Sequence, residues 1–207
     1  MPSPFHICYI TDRNSLQPKP LLPQIVAAIN AGVDLVQIRE KDLGPRDLGP
    51  LVSAALAAAR GTSTKIVVNE RVDVALAWGA HGAHLGTRSI PASAVRSCTP
   101  ADFLVGVSCH SLAEARDAES AGADYIVLGP VFPTPSKSLY GPPLGIEKFA
   151  EITRRLKVPV LALGGVSKER VKACLQAGAS GIAGIRIFQE CDSLESLVKE
   201  LTSQFAL

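Results

Sequence analysis

The chain is 207 residues long, 47% apolar and 19% charged, with a formal net charge of +2. That length accommodates one well-buried domain near the lower end of the range for a complete barrel of β/α units, and the near-neutral charge argues for neither a nucleic-acid partner nor an anionic membrane surface. No stretch approaches the roughly 20 uninterrupted apolar residues of a membrane span, and Met1-Pro2-Ser3-Pro4 lacks the basic start and apolar core of a secretory signal.

The predicted elements alternate between short apolar runs and longer helical patterns. A first strand over Ile7–Ile10 runs into Thr11-Asp12-Arg13, and a helix over Leu21–Asn30 follows. A second strand over Leu35–Ile38 leads into the block Gln37-Ile38-Arg39-Glu40-Lys41. Alternation puts Gln37, Arg39 and Lys41 on one face of the pleat near the strand's end. Two cations and an amide there suit a polyanion such as a pyrophosphate, with Arg acting as a planar fork and Lys as a point charge. On these residues alone, a solvated strand end with surface ion pairs is the alternative.

A helix over Leu48–Arg60 precedes a third strand, Lys65–Val68, which ends in Asn69-Glu70-Arg71. Asn69 and Glu70 are candidates to coordinate a cation or to hydrogen-bond a ligand, while Asn69 serves equally well as the cap of a helix over Arg71–Ala77. The fourth strand, Gly82–Leu85, leads to Gly86-Thr87-Arg88-Ser89, and the fifth, Leu104–Ser108, to Cys109-His110-Ser111. His81 and His84 fall on opposite faces of a strand, which argues against a shared metal. His110 is either a site residue or a half-buried residue beside a helix capped by Ser111. Cys109 has no evident charged activator.

After a helix over Leu112–Ala121 and a sixth strand, Tyr125–Leu128, comes a long loop from Gly129 to Gly145, too rich in Pro and Gly for regular structure. Long loops over the active face of a barrel often act as substrate lids, and Thr134, Ser136 and Lys137 suit an oxyanion. The seventh strand, Val158–Ala162, precedes Gly164-Gly165 and a helix over Lys168–Ala177. The eighth, Gly181–Ile185, precedes Arg186 and a helix over Leu194–Phe205. Loops after the seventh and eighth strands of such barrels commonly hold a phosphate through exposed backbone N–H groups.

A weak internal repeat organises these elements. Ala31-Gly32-Val33-Asp34 recurs as Ala121-Gly122-Ala123-Asp124, as Ala177-Gly178-Ala179-Ser180 and, more loosely, as Trp78-Gly79-Ala80-His81. Each copy places a glycine at a helix's end and marks every second strand. Eight alternating β/α units with no G-x-G-x-x-G after the first strand predict an α/β fold, a single (β/α)8 TIM barrel spanning 1–207, rather than a dinucleotide-binding sheet. The active site is expected at the C-terminal ends of the strands. Five scattered cysteines (Cys8, Cys98, Cys109, Cys174 and Cys191) without C-x-x-C spacing predict reduced thiols and a cytoplasmic location.

From Tyr9-Ile10-Thr11-Asp12 to Arg186 the chain resembles the thiamine-phosphate synthases and their relatives, the thiazole tautomerases. The motifs that carry the resemblance are Gln37-Ile38-Arg39-Glu40-Lys41, Gly129-Pro130-Val131-Phe132-Pro133-Thr134-Pro135-Ser136-Lys137 and Gly164-Gly165-Val166. It implies a condensation of hydroxymethylpyrimidine pyrophosphate with a thiazole phosphate to give thiamine phosphate and pyrophosphate. Arg39, Lys41 and Lys137 would be the catalytic cations. Gln37, Arg39, Lys41, Asn69, Ser108 and Lys137 would hold the pyrimidine pyrophosphate, and Thr134, Ser136, Gly165, Ile185 and Arg186 the thiazole phosphate. Two aspartates that usually bind Mg²⁺ in the synthases fall at Glu70 and Ser89, so a weakened metal site is expected. A tautomerase, or a non-catalytic paralogue that binds thiazole or thiamine phosphate, is the alternative, although the tautomerase's acid–base histidine falls at Pro130.

Overall fold

The computed structural model describes residues 6–134 and 142–205. Within them, strands β1 (Ile7–Ile10), β2 (Leu35–Ile38), β3 (Lys65–Asn69), β4 (Gly82–Leu85), β5 (Leu104–Cys109), β6 (Tyr125–Leu128), β7 (Val160–Leu163) and β8 (Gly181–Gly184) pair in parallel in sequence order. Pairing of β8 with β1 through Ala183 and Cys8 closes the barrel. The helices are α1 (Arg13–Leu16), α2 (Leu21–Ala31), α3 (Pro45–Ala59), α4 (Val72–Trp78), α5 (Ala92–Cys98), α6 (Leu112–Ser120), α7 (Gly145–Thr153), α8 (Lys168–Gln176), α9 (Arg186–Gln189) and α10 (Leu194–Phe205). This is the expected (β/α)8 architecture. β7 begins two residues later than its apolar pattern suggests, and α1 and α9, each a single turn, carry no periodicity that a sequence reading could detect.

The pleat sorts the apolar residues into two layers. Cys8, Ile10, Leu35, Val67, Tyr125, Val127, Leu161 and Ala183 pack together inside the barrel. Their outward neighbours Tyr9, Val36, Ile38, Ile66 and Val68 face the helices and join Ile25, Val52 and Phe188 in the outer core. Burial on both faces explains why the strands read as short continuous apolar runs.

The repeated glycines end helices in the left-handed region, with φ of 90° at Gly32, 70° at Gly79, 88° at Gly122 and 90° at Gly178. The residue two places beyond each glycine does further work at the N-terminal rim. Asp34 Oδ2 accepts from the N–H groups of His6 and Ile7, at 3.0 and 2.9 Å. His81 Nδ1 accepts from Ile66 N–H at 3.0 Å, and Asp124 Oδ2 from Val105 N–H at 2.7 Å. Ser180 Oγ accepts from Val160 N–H at 3.4 Å. Each copy thus satisfies a strand-start N–H on the strand before its own. The fold is pinned by side chains at one rim and leaves the other to the loops.

Candidate active site

Gln37, on β2, points into the barrel beside Leu35 and is 2% exposed. Its Nε2 donates to Asn69 Oδ1 at 2.9 Å, while its Oε1 is buried with no hydrogen-bond partner among the described residues. An unmatched buried acceptor costs on the order of 1–3 kcal/mol, which a ligand N–H or O–H would recover. Asn69 therefore spends its amide oxygen on Gln37. The N-cap of α4 is Arg71, with no side-chain cap, so the capping alternative for Asn69 is not realised.

β2 ends at Ile38, so the pleat does not extend to Arg39 and Lys41; a locked loop carries them instead. Arg39 N–H donates to Thr11 Oγ1 at 2.9 Å, and Thr11 Oγ1 donates to Glu40 Oε1 at 2.5 Å. Arg13 N–H donates to the other Glu40 oxygen at 3.1 Å. Burial pushes the Glu40 carboxyl up, and the hydrogen bonds from Thr11 and Arg13 oppose that shift. The Arg13 guanidinium grips Asp42 on the surface, with its Nη2 at 2.8 Å from Oδ2.

Lys41, Asn69, Glu70, Arg71 and Arg88 line a cleft of about 290 Å³ beside this loop. Glu70 sits there at φ 60°, a conformation that side-chain-bearing residues seldom adopt. Its N–H donates to the His84 carbonyl at 2.9 Å. Ser89 Oγ donates to Glu70 Oε1 at 3.2 Å and accepts from Gly86 N–H at 2.8 Å. Arg71 is bidentate to Asp73, with Nε at 2.8 Å and Nη2 at 2.5 Å from the carboxylate oxygens.

Deeper in the barrel mouth, His84 Nε2 lies 2.8 Å from Ser108 Oγ and its Nδ1 3.2 Å from Tyr125 OH. Gly106 makes this possible: a Cβ there would sit 2.1 Å from Tyr125 Cζ and 2.6 Å from His84 Nδ1. Burial, with the positive charge of Arg39 nearby, pulls His84 down to about 3, so the ring is neutral. His81 precedes β4 and serves the N-terminal rim, whereas His84, on β4, serves the mouth, so the two are separated by barrel end and not by strand face.

On the far side, the loops after β6 and β7 are zipped together. Val131 N–H donates to the Leu163 carbonyl at 2.8 Å and Phe132 N–H to that of Gly164 at 3.0 Å. Gly164 and Gly165 have φ of 93° and 63°, and a Cβ on Gly165 would meet Pro133 O at 2.6 Å. Arg170 donates to the Gly165 carbonyl at 2.7 Å and lies 4.8 Å over the Phe132 ring. Arg186 Nη2 donates to Thr134 Oγ1 at 3.2 Å, next to Ile185 at the start of α9. Ser136 and Lys137, expected from the sequence to bind phosphate and pyrophosphate, lie outside the described residues. Outside these clusters, His110 Nδ1 is bonded to the Gly129 carbonyl and its N–H donates to Glu114 at 2.6 Å. Ser111 caps α6, as its sequence position suggested. Burial pushes the Cys109 thiol up to about 12, consistent with the lack of an activator.

A family model described as thiamine monophosphate synthase matches residues 7–188. The chain belongs to the thiamine monophosphate synthase family. It is 35% identical over 199 residues to the thiamine-phosphate synthase of Syntrophomonas wolfei, covering 96% of this chain and 95% of that protein. The thiamine-phosphate synthase of Roseiflexus sp. (strain RS-1) is 40% identical over 176 residues, covering 85% and 75% of the two chains. The solved thiamine phosphate pyrophosphorylase of Pyrococcus furiosus superposes with a TM-score of 0.87 at 31% identity, covering 98% and 96%.

Within this family frame, the Mg²⁺ expected from the resemblance can be tested against the donors present. Glu70 is the lone carboxylate of the expected metal pair, and its Oε1 already accepts from Ser89. Lys41, Arg71 and Arg88 crowd the same cleft. Among the described residues no group of three His, Cys, Asp or Glu side chains is placed to hold a metal ion. A hard dication requires oxygen donors and is repelled by neighbouring cations, so these residues do not fit a protein-built Mg²⁺ site.

Four members of the site escaped sequence reading: Thr11, His84, Tyr125 and Arg88. Alternation marks His84 as facing the same way as Gly82 and Gly86. That it meets Ser108 and Tyr125 depends on the β4–β5–β6 register, which no short window reveals.

Proposed function

We propose that this protein is a thiamine-phosphate synthase, joining hydroxymethylpyrimidine pyrophosphate to hydroxyethylthiazole phosphate. The observation that carries this reading is the buried, unpartnered Oε1 of Gln37 beside a cation-lined cleft, on a chain of this family. The aminopyrimidine offers N–H donors to Gln37, and the cleft with Arg39 and Lys41 receives the pyrophosphate. The C–O bond to the pyrimidine methylene breaks, its electron pair leaving with the pyrophosphate oxygen. The thiazole nitrogen then gives its lone pair to the resulting carbocation, forming the C–N bond. Thr134, Gly165, Ile185 and Arg186 would hold the thiazole phosphate across the mouth, and Ser136 and Lys137 would complete the two anion sites. Cations that stabilise the developing charge on the leaving group, together with alignment of the partners, provide the catalysis, and neutral His84 serves as a hydrogen-bond partner of Ser108 and Tyr125.

The test supplies both substrates to the purified protein and follows thiamine phosphate and pyrophosphate in equal amounts. Conversion of a carboxylated thiazole phosphate without the pyrimidine would point to a tautomerase. Binding of both ligands with no turnover would point to a non-catalytic paralogue. Either outcome would overturn the synthase reading.

A further inference from the structure

We propose that Arg88, with Lys41 and Arg39, takes the place of a divalent cation at the leaving-group cleft, so that the protein binds and releases pyrophosphate without Mg²⁺. The inference rests on the synthase reading only for the identity of the anion. Two side chains that would have to hold a metal hold each other: Ser89 donates its hydroxyl proton to Glu70 Oε1 and accepts from the Gly86 backbone. A Cβ on Gly86 would lie 2.8 Å from the same Glu70 oxygen, so the carboxylate is lodged against the β4 loop. Glu70 Oε2 is 3.5 Å from the Asn69 amide nitrogen. The carboxylate is thus a fixed structural acceptor with its first oxygen in use.

The cleft's cations differ in how they are held. Arg71 is tied bidentately to Asp73, and that pair is electrically closed. Arg88 is exposed, lines the cleft and makes no hydrogen bond or ion pair among the described residues. Lys41, from the loop after β2, is also exposed and lines the cleft. A guanidinium presents two parallel N–H donors to a phosphate, a geometry suited to a bidentate, charge-assisted contact. Arg39 approaches from the barrel mouth, where its charge reaches His84. With Arg71 offset by Asp73, the exposed Lys41 and Arg88, joined by half-buried Arg39 from the mouth, outnumber the two lining carboxylates, Glu70, which Ser89 holds, and Glu40, whose oxygens are taken by Thr11 and Arg13. That balance favours a pyrophosphate and opposes an added dication.

Inorganic pyrophosphate titrated calorimetrically into the full chain, in EDTA and in excess Mg²⁺, tests this. Binding in EDTA is expected to be within about threefold of that in Mg²⁺. Loss of a charge-assisted contact in Arg88→Gln should weaken binding in EDTA by about tenfold or more, with an unchanged thermal midpoint. The double variant Arg88→Gln/Ser89→Asp, which restores a carboxylate, should bind only when Mg²⁺ is added. Absence of binding in EDTA, indifference to Arg88→Gln, or metal-independent binding by the double variant would each overturn the proposal. Product formation measured in parallel separates the two claims. Thiamine phosphate made in Mg²⁺ without pyrophosphate binding in EDTA removes this inference alone. Binding in EDTA with no product under any condition removes the synthase reading and leaves the cation site standing.

Discussion

Glu40 and His84 occupy the mouth without contacting each other in any described hydrogen bond, yet each constrains how the cations are presented. Glu40 closes the Thr11–Arg39 and Arg13 hydrogen bonds from a buried position. Glu40→Ala should cost about 1–3 kcal/mol of stability through unmatched partners. It should also raise KM for the pyrimidine pyrophosphate far more than that for the thiazole phosphate, whereas an equal rise in both would assign Glu40 to general folding. His84 is held neutral well below its usual 6.5. Below about pH 6.5 the unfolded chain takes up a proton there that the native state refuses, so stability falls toward acid by up to about 1.4 kcal/mol per pH unit. Urea unfolding of wild type and His84→Asn between about pH 7 and pH 5 should show a shallower slope for the variant; parallel slopes would contradict the assignment. Gln37, Arg39, Lys41 and Asn69 were legible as a polar block at strand ends because pattern and composition are local properties. Glu40, in the same block, read only as charge. Its burial depends on Thr11 from a neighbouring strand, and pairing across the chain is invisible to a local pattern.

Between the single residue and the barrel, the coupled loops after β6 and β7 behave as one element. Gly165, at φ 63° and pressed against Pro133 and Phe132, holds them at their closest approach. Gly165→Ala should lower the thermal midpoint, since both the left-handed backbone and the crowded Cβ oppose it by roughly 1–3 kcal/mol. It should also raise KM for the thiazole phosphate with little change for the pyrimidine pyrophosphate; an unchanged KM for both would remove this loop from the phosphate site. The strands and the long helices were readable because apolar runs and a 3.6-residue period repeat over many positions. The one-turn helices α1 and α9 were not, because four residues hold too little periodicity to stand out from a loop.

Across the molecule, the barrel's two rims follow different rules. The N-terminal rim carries four related side-chain staples, at Asp34, His81, Asp124 and Ser180. Asp34→Ala and Asp124→Ala should each cost about 1–3 kcal/mol, and the double variant should add to within about 0.5 kcal/mol because the sites share no partner. Asp124→Ala should be the worse of the two, as it also releases Arg96. Strong non-additivity in denaturant unfolding would show the staples to be coupled. The glycines of this repeat were visible in the sequence, and so was the eight-unit architecture they imply; the staples were not, because Asp, His and Ser do one job through three chemistries. A device that works with an aspartate, an imidazole or a hydroxyl in the same place asks of its side chain only an acceptor at the right distance, so the four copies differ in chemistry while doing the same job. At the opposite end the chemistry is not interchangeable: Arg88 beside Ser89 is the pair on which the proposed metal-free pyrophosphate site depends.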